Sequence, residues 1–132
     1  MKVRSVAGAA ISALLAVGTT ARAQENPFDA VFAIMTQQRG RDSQGCRGCH
    51  IVEDPSMAIG PYFGNTQDEV ENTLITYGDG ILIEGGRDSE LAIFLREGFM
   101  PLGGTQWCDA ELELLYAWLD SLAATDAIIA AQ

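Results

Sequence analysis

Apolar side chains recur every three or four residues in four stretches of this chain, and glycine-rich segments separate the stretches. This spacing is typical of helices that bury one face against a core. The four apolar stripes are Phe28, Val31, Phe32 and Met35; Val70, Leu74 and Tyr77; Leu91, Phe94 and Leu95; and Leu112, Leu115, Tyr116, Leu119 and Leu122. The pattern predicts an all-α fold, a small domain of about four helices joined by long loops.

Capping signals place the ends of the first two helices. Asn26 is a typical N-cap, Pro27 suits the first helical position, and Gly40 is expected to close this helix. The run from Thr66 to Glu69 has the pattern of a capping box, in which side-chain and backbone groups at a helix start bond reciprocally. Gly78 is expected to end the second helix.

The third helix is expected to start near Asp88 or Ser89 and to end at Gly98. The fourth starts near Asp109 and continues weakly through an alanine-rich tail to Ile129. Before the third helix, residues 79–87 contain a β-like apolar run at residues 81–83 that is too short and isolated for a sheet. We expect a loop pinned to the core, and loops of this length in a small domain usually enclose a bound group.

The chain begins like a secretory signal. Lys2 and Arg4 form a positive start, residues 5–17 are rich in aliphatic side chains, and Ala21-Arg22-Ala23 is typical of a cleavage site. Cleavage after Ala23 would divide the chain into a signal peptide, residues 1–23, and a periplasmic domain, residues 24–132. The alternative is an uncleaved anchor, although the apolar run is shorter than the roughly 20 residues of a membrane span. No later segment is apolar enough to cross a bilayer.

The net charge of the chain limits the classes of partner that it is expected to bind. The chain has 18 acidic and eight basic residues, a net charge of −10. Cleavage removes Lys2, Arg4 and Arg22, which leaves five arginines, no lysine and a net charge of −13 on 109 residues. Such a surface repels nucleic acids and anionic lipids and favours a partner with a basic docking face. Solubility alone is the other explanation of the same charge.

The run Cys46-Arg47-Gly48-Cys49-His50 carries the candidate chemistry. C-x-x-C-H is the attachment signature of c-type haem: two thiols add to the haem vinyl groups, and the adjacent histidine reaches the iron. Gly48 relieves crowding where the backbone turns under the ring. The export signal agrees, because bacteria attach such haem outside the cytoplasm. The sequence therefore predicts one covalently bound haem c, with its iron bound by His50.

Three other interpretations of these cysteines are less well supported by the sequence. A redox-active C-x-x-C belongs in a thioredoxin-like βαβ context, which the pattern lacks. A structural zinc site could recruit Cys46, Cys49, His50 and Cys108. Zinc ligands usually come from two separated pairs, however, and adjacent Cys49 and His50 are poorly placed to face one metal. A disulfide between Cys46 and Cys49 leaves His50 without a role.

Few residues of this chain are candidates for the second ligand of the haem iron. His50 is the only histidine, no lysine survives cleavage, and the new N-terminus, Gln24, tends to cyclise and lose its amine. Methionine is the usual partner of histidine in electron-transfer haems, which leaves Met35, Met57 and Met100. Met35 lies on an apolar stripe and is expected in the core. Met57 follows His50 too closely to reach the opposite haem face.

Met100 is the favoured ligand because of its setting. Gly98 ends the preceding helix, and Pro101 favours an extended backbone at Met100. Gly103 and Gly104 let the chain pass close to a flat ligand. This setting suits a strap that holds a sulfur over iron. The alternative is that Met100 is an ordinary core residue and the sixth iron position is open.

Taken in order along the mature chain, these motifs resemble the class I cytochromes c. The resemblance rests on an N-terminal helix with paired apolar residues, the C-x-x-C-H run, a Gly-Pro loop at residues 60–64, a G-x-M-P-x-G-G strap at residues 98–104 and a C-terminal helix that crosses the first. It implies a small all-α domain with loops wrapped around the haem. It also implies that the Pro61 carbonyl accepts the other ring N–H of His50, which orients the ring and tunes its basicity.

Some features stay open or depart from that family. Four aromatic residues are equally suited to the haem cavity and to the general core: Tyr62, Phe63, Phe99 and Trp107. The segment 79–87 is longer and richer in glycine than in the smallest members, and Cys108 is additional to the haem pair. An odd cysteine in an oxidising compartment is either a buried small apolar group or a link to another chain. We favour burial of Cys108, because Trp107 and a helix start flank it, over a dimer.

The expected function is one-electron transfer between redox partners, by a protein that is not itself an enzyme. One alternative is a cytochrome subunit of a dehydrogenase or oxidoreductase complex, contacted through Cys108 or through residues 123–132. The other is a haem ligand-binding or sensor protein with an open sixth position on the iron.

Overall fold

The computed structural model describes residues 25–37, 45–101 and 105–131. Its α-helices are α1 (Phe28–Met35), α2 (Gln67–Thr76), α3 (Glu90–Arg96) and α4 (Asp109–Ala130). Short 3-10 turns lie between them at Gly45–Gly48, Pro55–Met57, Tyr77–Gly80 and Gly86–Asp88. These ranges contain no β-strand, only an isolated bridge between Ile51 and Gly64. The predicted all-α fold of about four helices with long loops is confirmed.

Several predictions concern parts of the chain outside the described ranges. The signal segment 1–23, the expected new N-terminus Gln24, Gly40, and Gly103 and Gly104 of the strap all lie there. Within the described ranges, no helix is both long enough and apolar enough to cross a membrane.

Helix α1 starts where the sequence places it and ends earlier. The Asn26 side chain accepts a hydrogen bond from the Phe28 N–H at 3.0 Å, which caps the first turn. The helix ends at Met35 rather than continuing to Gly40. Thr36 follows, and its hydroxyl donates to the Phe32 carbonyl at 2.9 Å, so that side chain satisfies a carbonyl of the last turn.

Helix α2 begins with the predicted capping box. Thr66 accepts from the Glu69 N–H at 3.3 Å, and the Glu69 carboxylate accepts from the Thr66 N–H at 3.0 Å. Val70 and Leu74 of the predicted stripe are fully buried. Tyr77 was expected to join them, but it is 41 % exposed. The reason is that α2 ends at Thr76 and Tyr77 takes a non-helical backbone conformation.

Helix α3 begins after Ser89, whose buried hydroxyl accepts from the Ala92 N–H at 3.3 Å. It ends at Arg96, two residues before the predicted stop at Gly98. Leu91 and Leu95 are buried as predicted. Phe94 was expected beside them, but it is partly exposed, and its ring lies at the mouth of the cavity described below.

Helix α4 packs its first half against α1. The rings of Phe28 and Trp118 lie 4.8 Å apart between centroids, and both side chains are fully buried. Leu115 and Leu119 are buried on the same face, as the sequence predicts. The helix then continues to Ala130, and every residue from 123 to 130 is exposed. About two turns of α4 therefore extend beyond the core.

The predicted burial of Cys108 is wrong. Cys108 is exposed, whereas its neighbour Trp107 is only 5 % exposed. Cys108 occupies the N-cap position of α4, and its backbone N–H donates to the Glu111 carboxylate at 2.9 Å. An N-cap residue lies at the end of its helix, so burial of the preceding residue does not bring the side chain of the N-cap residue into the core.

Candidate functional site

A cavity of about 600 Å³ lies between the C-x-x-C-H turn, the loop that follows it, helix α3 and the Met100 segment. Its volume lies within the range of about 300–1,000 Å³ typical of ligand sites. All five predicted site residues line it: Cys46, Cys49, His50, Pro61 and Met100. Cys46 and Met100 are 54 residues apart in the chain, so the tertiary fold is what brings the two ends of this set together.

The C-x-x-C-H run folds as one tight turn. The Cys46 carbonyl accepts from three backbone N–H groups, those of Cys49 at 3.3 Å, His50 at 2.8 Å and Ile51 at 3.3 Å. The turn holds both cysteines and the histidine within one local unit. Cys46, Cys49 and His50 are each partly buried, so their side chains are accessible from the cavity that they line.

A hydrogen bond to Pro61 fixes the tautomer of His50. The Nδ1 atom of His50 lies 2.7 Å from the Pro61 carbonyl oxygen. A carbonyl oxygen can only accept, so Nδ1 carries the proton and donates. In the neutral ring the lone pair is then on Nε2, the form required of a metal-binding imidazole.

The ring of His50 is also held from its sides. Phe63 stacks on it with ring centroids 4.7 Å apart and an angle of 25° between the ring planes. The backbone N–H of Phe63 donates to the His50 carbonyl at 2.8 Å. Gly60 approaches the ring so closely that a Cβ there would lie 3.2 Å from His50 Cε1. The Gly-Pro loop therefore restricts both the position and the rotation of the imidazole.

The three candidate methionines occupy different environments. Met100 is partly buried, lines the cavity, and donates its backbone N–H to the Phe94 carbonyl at 3.2 Å. Met57 is 69 % exposed and is not among the residues that line the cavity. Met35 is 3 % exposed in the core, as expected, but it also lines the cavity. Two thioethers, those of Met35 and Met100, are thus available to one site.

Only one of the four candidate aromatic residues lines the cavity. Phe63 does so, whereas Tyr62, Phe99 and Trp107 are not among the lining residues. Phe99 is 59 % exposed, and its ring meets that of Phe94 edge to face at 6.0 Å. Phe94, which the helical pattern assigned to the core, is the aromatic residue on this side of the cavity.

The segment 79–87 supplies a wall that motif reasoning did not identify. Leu82 is 9 % exposed and lines the cavity, and its carbonyl accepts from the Leu91 N–H at 3.0 Å. This contact confirms that the loop is pinned to the core. The sequence pattern that could have indicated this wall was the apolar triplet in the glycine-rich segment. With Leu91 and Leu95 of α3, Leu82 makes this side of the cavity apolar.

The charges in the described ranges are mainly acidic, and two of the basic groups are paired. Arg87 donates to Asp120 at 2.7 Å, and its guanidinium lies 5.0 Å from the centre of the Tyr116 ring. The hydrogen bond to Asp120 raises the pKa of Arg87, and the same contact lowers the pKa of Asp120. Arg96 pairs with Glu97 at 3.1 Å. These pairs leave the surrounding acidic groups in excess.

Two thiols, an imidazole whose Nε2 carries the lone pair in the neutral ring, and two thioethers therefore surround one largely apolar cavity. The three cysteines form no disulfide with one another. Within the described ranges, no group of three or more His, Cys, Asp and Glu side chains is placed to hold a bare metal ion. Comparison with protein-family models, curated proteins and solved structures gave no match to this chain.

Proposed function

We propose that the protein is an exported, monohaem c-type cytochrome that carries one electron at a time between redox partners. In this proposal Cys46 and Cys49 would form the thioether links to the haem, and His50 and Met100 would bind its iron. The observation that carries the proposal is that these four side chains line a single cavity of about 600 Å³. The C-x-x-C-H spacing gives the thiols and the imidazole their roles.

The residues present fit such a group. Haem supplies an iron that changes between the ferrous and ferric states, and histidine–methionine ligation raises its reduction potential. The Pro61 carbonyl, 2.7 Å from His50 Nδ1, selects the tautomer of the neutral ring that has its lone pair on Nε2, and it makes the imidazole a stronger electron-pair donor. Phe63 and Gly60 restrict the ring, so the ligand is held in place before binding.

The apolar wall supports electron transfer in preference to catalysis. Phe63, Leu82 and Leu95 are each less than 10 % exposed and line the cavity. Such side chains would keep water away from a bound haem and lower the local dielectric, one of the ways in which a protein sets a reduction potential. If His50 and Met100 both bind the iron, no position on the iron would be open to small molecules.

The acidic surface supports docking to a basic partner. The mature chain carries a net charge of −13, by the cleavage that we propose after Ala23. Opposite charges on a partner would raise the association rate, and salt would screen that attraction. The association rate with a physiological donor should therefore fall as ionic strength rises.

The decisive test is a pyridine haemochrome spectrum together with an intact mass of protein matured in the periplasm. We expect the mass of residues 24–132 plus one haem, and the spectrum of a haem with two thioether links. A colourless protein with the mass of the polypeptide alone would contradict the proposal. Carbon monoxide distinguishes the open-site alternative, because a ferrous haem with methionine bound should take up this gas slowly.

A further inference from the structure

A second apolar depression, of about 370 Å³, lies between the glycine-rich loop and the second half of α4. Ile75, Ile83, Leu119 and Leu122 supply its apolar surface. Ile75, Ile83 and Leu122 are only partly buried although they pack against the core, so this surface remains open to solvent. We call it the α4 groove.

The α4 groove is separate from the cavity that holds the proposed site. Leu82 lines the cavity, whereas the next residue, Ile83, lines the groove. The two sites therefore share one wall, the loop at residues 80–86, and share none of their lining residues. A molecule in the groove would contact the outer side of the loop whose inner side closes the cavity.

The tail of α4 extends the apolar surface of the groove. Leu119, Leu122 and Asp126 line the groove, and Ile129 follows Asp126 by three residues, which places it on the same helix face. Ile129 is 66 % exposed. A partner lying along this face could bury this large side chain, which the described part of the chain leaves in solvent.

The charges at the groove have one sign. Glu84 and Asp126 are the charged side chains among the described residues that line it. Helix α4 contains no Lys or Arg from residue 109 to 130, and its C-terminal end carries the negative end of the helix dipole. Arg87, which contacts this helix from the turn at Gly86–Asp88, is already paired with Asp120. The groove therefore favours an apolar ligand that brings positive charge.

We propose that the α4 groove docks an amphipathic helix of a partner protein, with its apolar face against Ile83 and Leu122 and Lys or Arg residues beside Glu84 and Asp126. A second copy of this chain would bring its own acidic groups to the same place, where like charges repel. This partner site goes beyond the electron-carrier proposal. It does not use the cavity, so the two proposals can fail independently.

The probe is a designed helical peptide of about 18 residues, long enough to cover five turns. It has a leucine and alanine face flanked by lysines, and its control has every lysine replaced by glutamate. Fluorescence anisotropy with the protein purified after export should give at least about tenfold tighter binding for the lysine peptide at low salt. That preference should decline as the salt concentration approaches about 1 M.

Two neighbouring alanines provide matched variants. Ala123 lines the groove and Ala124 does not, although both are exposed on the same helix. Ala123→Arg should weaken binding of the lysine peptide by about tenfold, because it adds bulk and like charge inside the groove. Ala124→Arg makes the same change in net charge and helix propensity, and it should leave the affinity within about threefold.

The following outcomes would overturn the docking proposal: equal affinity for the two peptides, no binding of either, or equal effects of Ala123→Arg and Ala124→Arg. If sedimentation velocity showed that the protein self-associates and that Ala123→Arg abolishes this association, the groove would instead bind a second copy of the chain. Binding of vesicles of anionic phospholipid through the groove would likewise reject a protein partner. Haem content, measured on the same samples, reports on the electron-carrier proposal alone.

Discussion

The indole N–H of Trp118 donates to the Glu71 carboxylate at 2.9 Å and so joins α4 to α2. The other oxygen of this carboxylate accepts from the Asn26 side chain, also at 2.9 Å, at the start of α1. Trp118 is fully buried, so its N–H needs a partner inside the protein. One carboxylate thus ties together the three helices that form the core beside the cavity.

Replacing Glu71 should therefore destabilise the whole domain. Glu71→Ala leaves the buried Trp118 N–H without an acceptor, and we expect the free energy of unfolding to fall by about 1–3 kcal/mol. Glu71→Gln keeps an amide oxygen that can accept from Trp118, so its loss should be smaller. Urea unfolding followed by tryptophan fluorescence measures both. Equal losses for the two variants would show that Trp118 does not depend on this acceptor.

The two methionines of the cavity can be separated by their spectra. Met100→Ala should abolish the weak long-wavelength band of ferric iron–thioether ligation and speed carbon monoxide binding to the ferrous protein. Met35→Leu keeps nearly the same volume and should leave both properties unchanged. Loss of the band in Met35→Leu, with retention in Met100→Ala, would transfer the ligand role to Met35.

Gly60 should be needed for the position of His50. Its φ of 92° disfavours a side chain, and a Cβ would lie 3.2 Å from the imidazole. Gly60→Ala should shift the reduction potential and the haem spectrum because it displaces the ring. Gly85 is a matched control, since its φ is 89° and a Cβ there would meet its nearest neighbour at 3.7 Å.

Gly85→Ala should carry a similar backbone cost, on the order of 1 kcal/mol, and leave the spectrum unchanged. Thermal unfolding and redox titration of the two variants separate these effects. Identical spectra and potentials for both would mean that Gly60 matters only for its backbone conformation.

Each cysteine of the motif should contribute one covalent link. Cys46→Ser or Cys49→Ser should yield protein with at most one thioether, which shifts the pyridine haemochrome band and lowers the yield of haem-loaded protein. Cys108→Ser makes the same substitution at an exposed position that does not line the cavity, so its haem content should match the parent. Loss of haem in Cys108→Ser would contradict this assignment of the cysteines.

The start of α2 should loosen in acid. Hydrogen bonds from the backbone N–H groups of Asn65, at 2.8 Å, and Thr66, at 3.0 Å, hold the pKa of Glu69 below its ordinary value. A depressed carboxyl pKa contributes stability above the unfolded-state value and loses it as pH falls through the folded-state value. The protection factors of the amides in the first turn of α2, each corrected for the intrinsic exchange rate at that pH, should therefore fall in acid.

Glu69→Gln is the control for this titration. Its protection factors in the first turn should be lower than in the parent at neutral pH and should lack the acid-dependent fall, because the amide does not ionise in this range. A parent protein whose α2 protection is flat from neutral to acid pH would show that the capping box does not depend on the charge of Glu69.

Sequence patterns within a few residues predicted the helices and the C-x-x-C-H turn. The capping box at Thr66 and Glu69 and the cap at Ser89 are confirmed because these contacts join residues within one helical turn. The end of α1 was predicted too late. Gly40 was a plausible stop, but the helix ends at Met35, five residues earlier, where the Thr36 hydroxyl donates to the Phe32 carbonyl.

The sequence alone determined the all-α class, most helix starts, and the placing of two thiols and an imidazole on one turn, because each depends on neighbours a few residues away. Only the tertiary structure decided that Met35 joins Met100 at the cavity, that Phe94 lies there and Phe99 does not, and that Cys108 is exposed. Exposure depends on which distant segment covers a residue. Periodicity within one helix identifies an apolar face, but not what that face will meet.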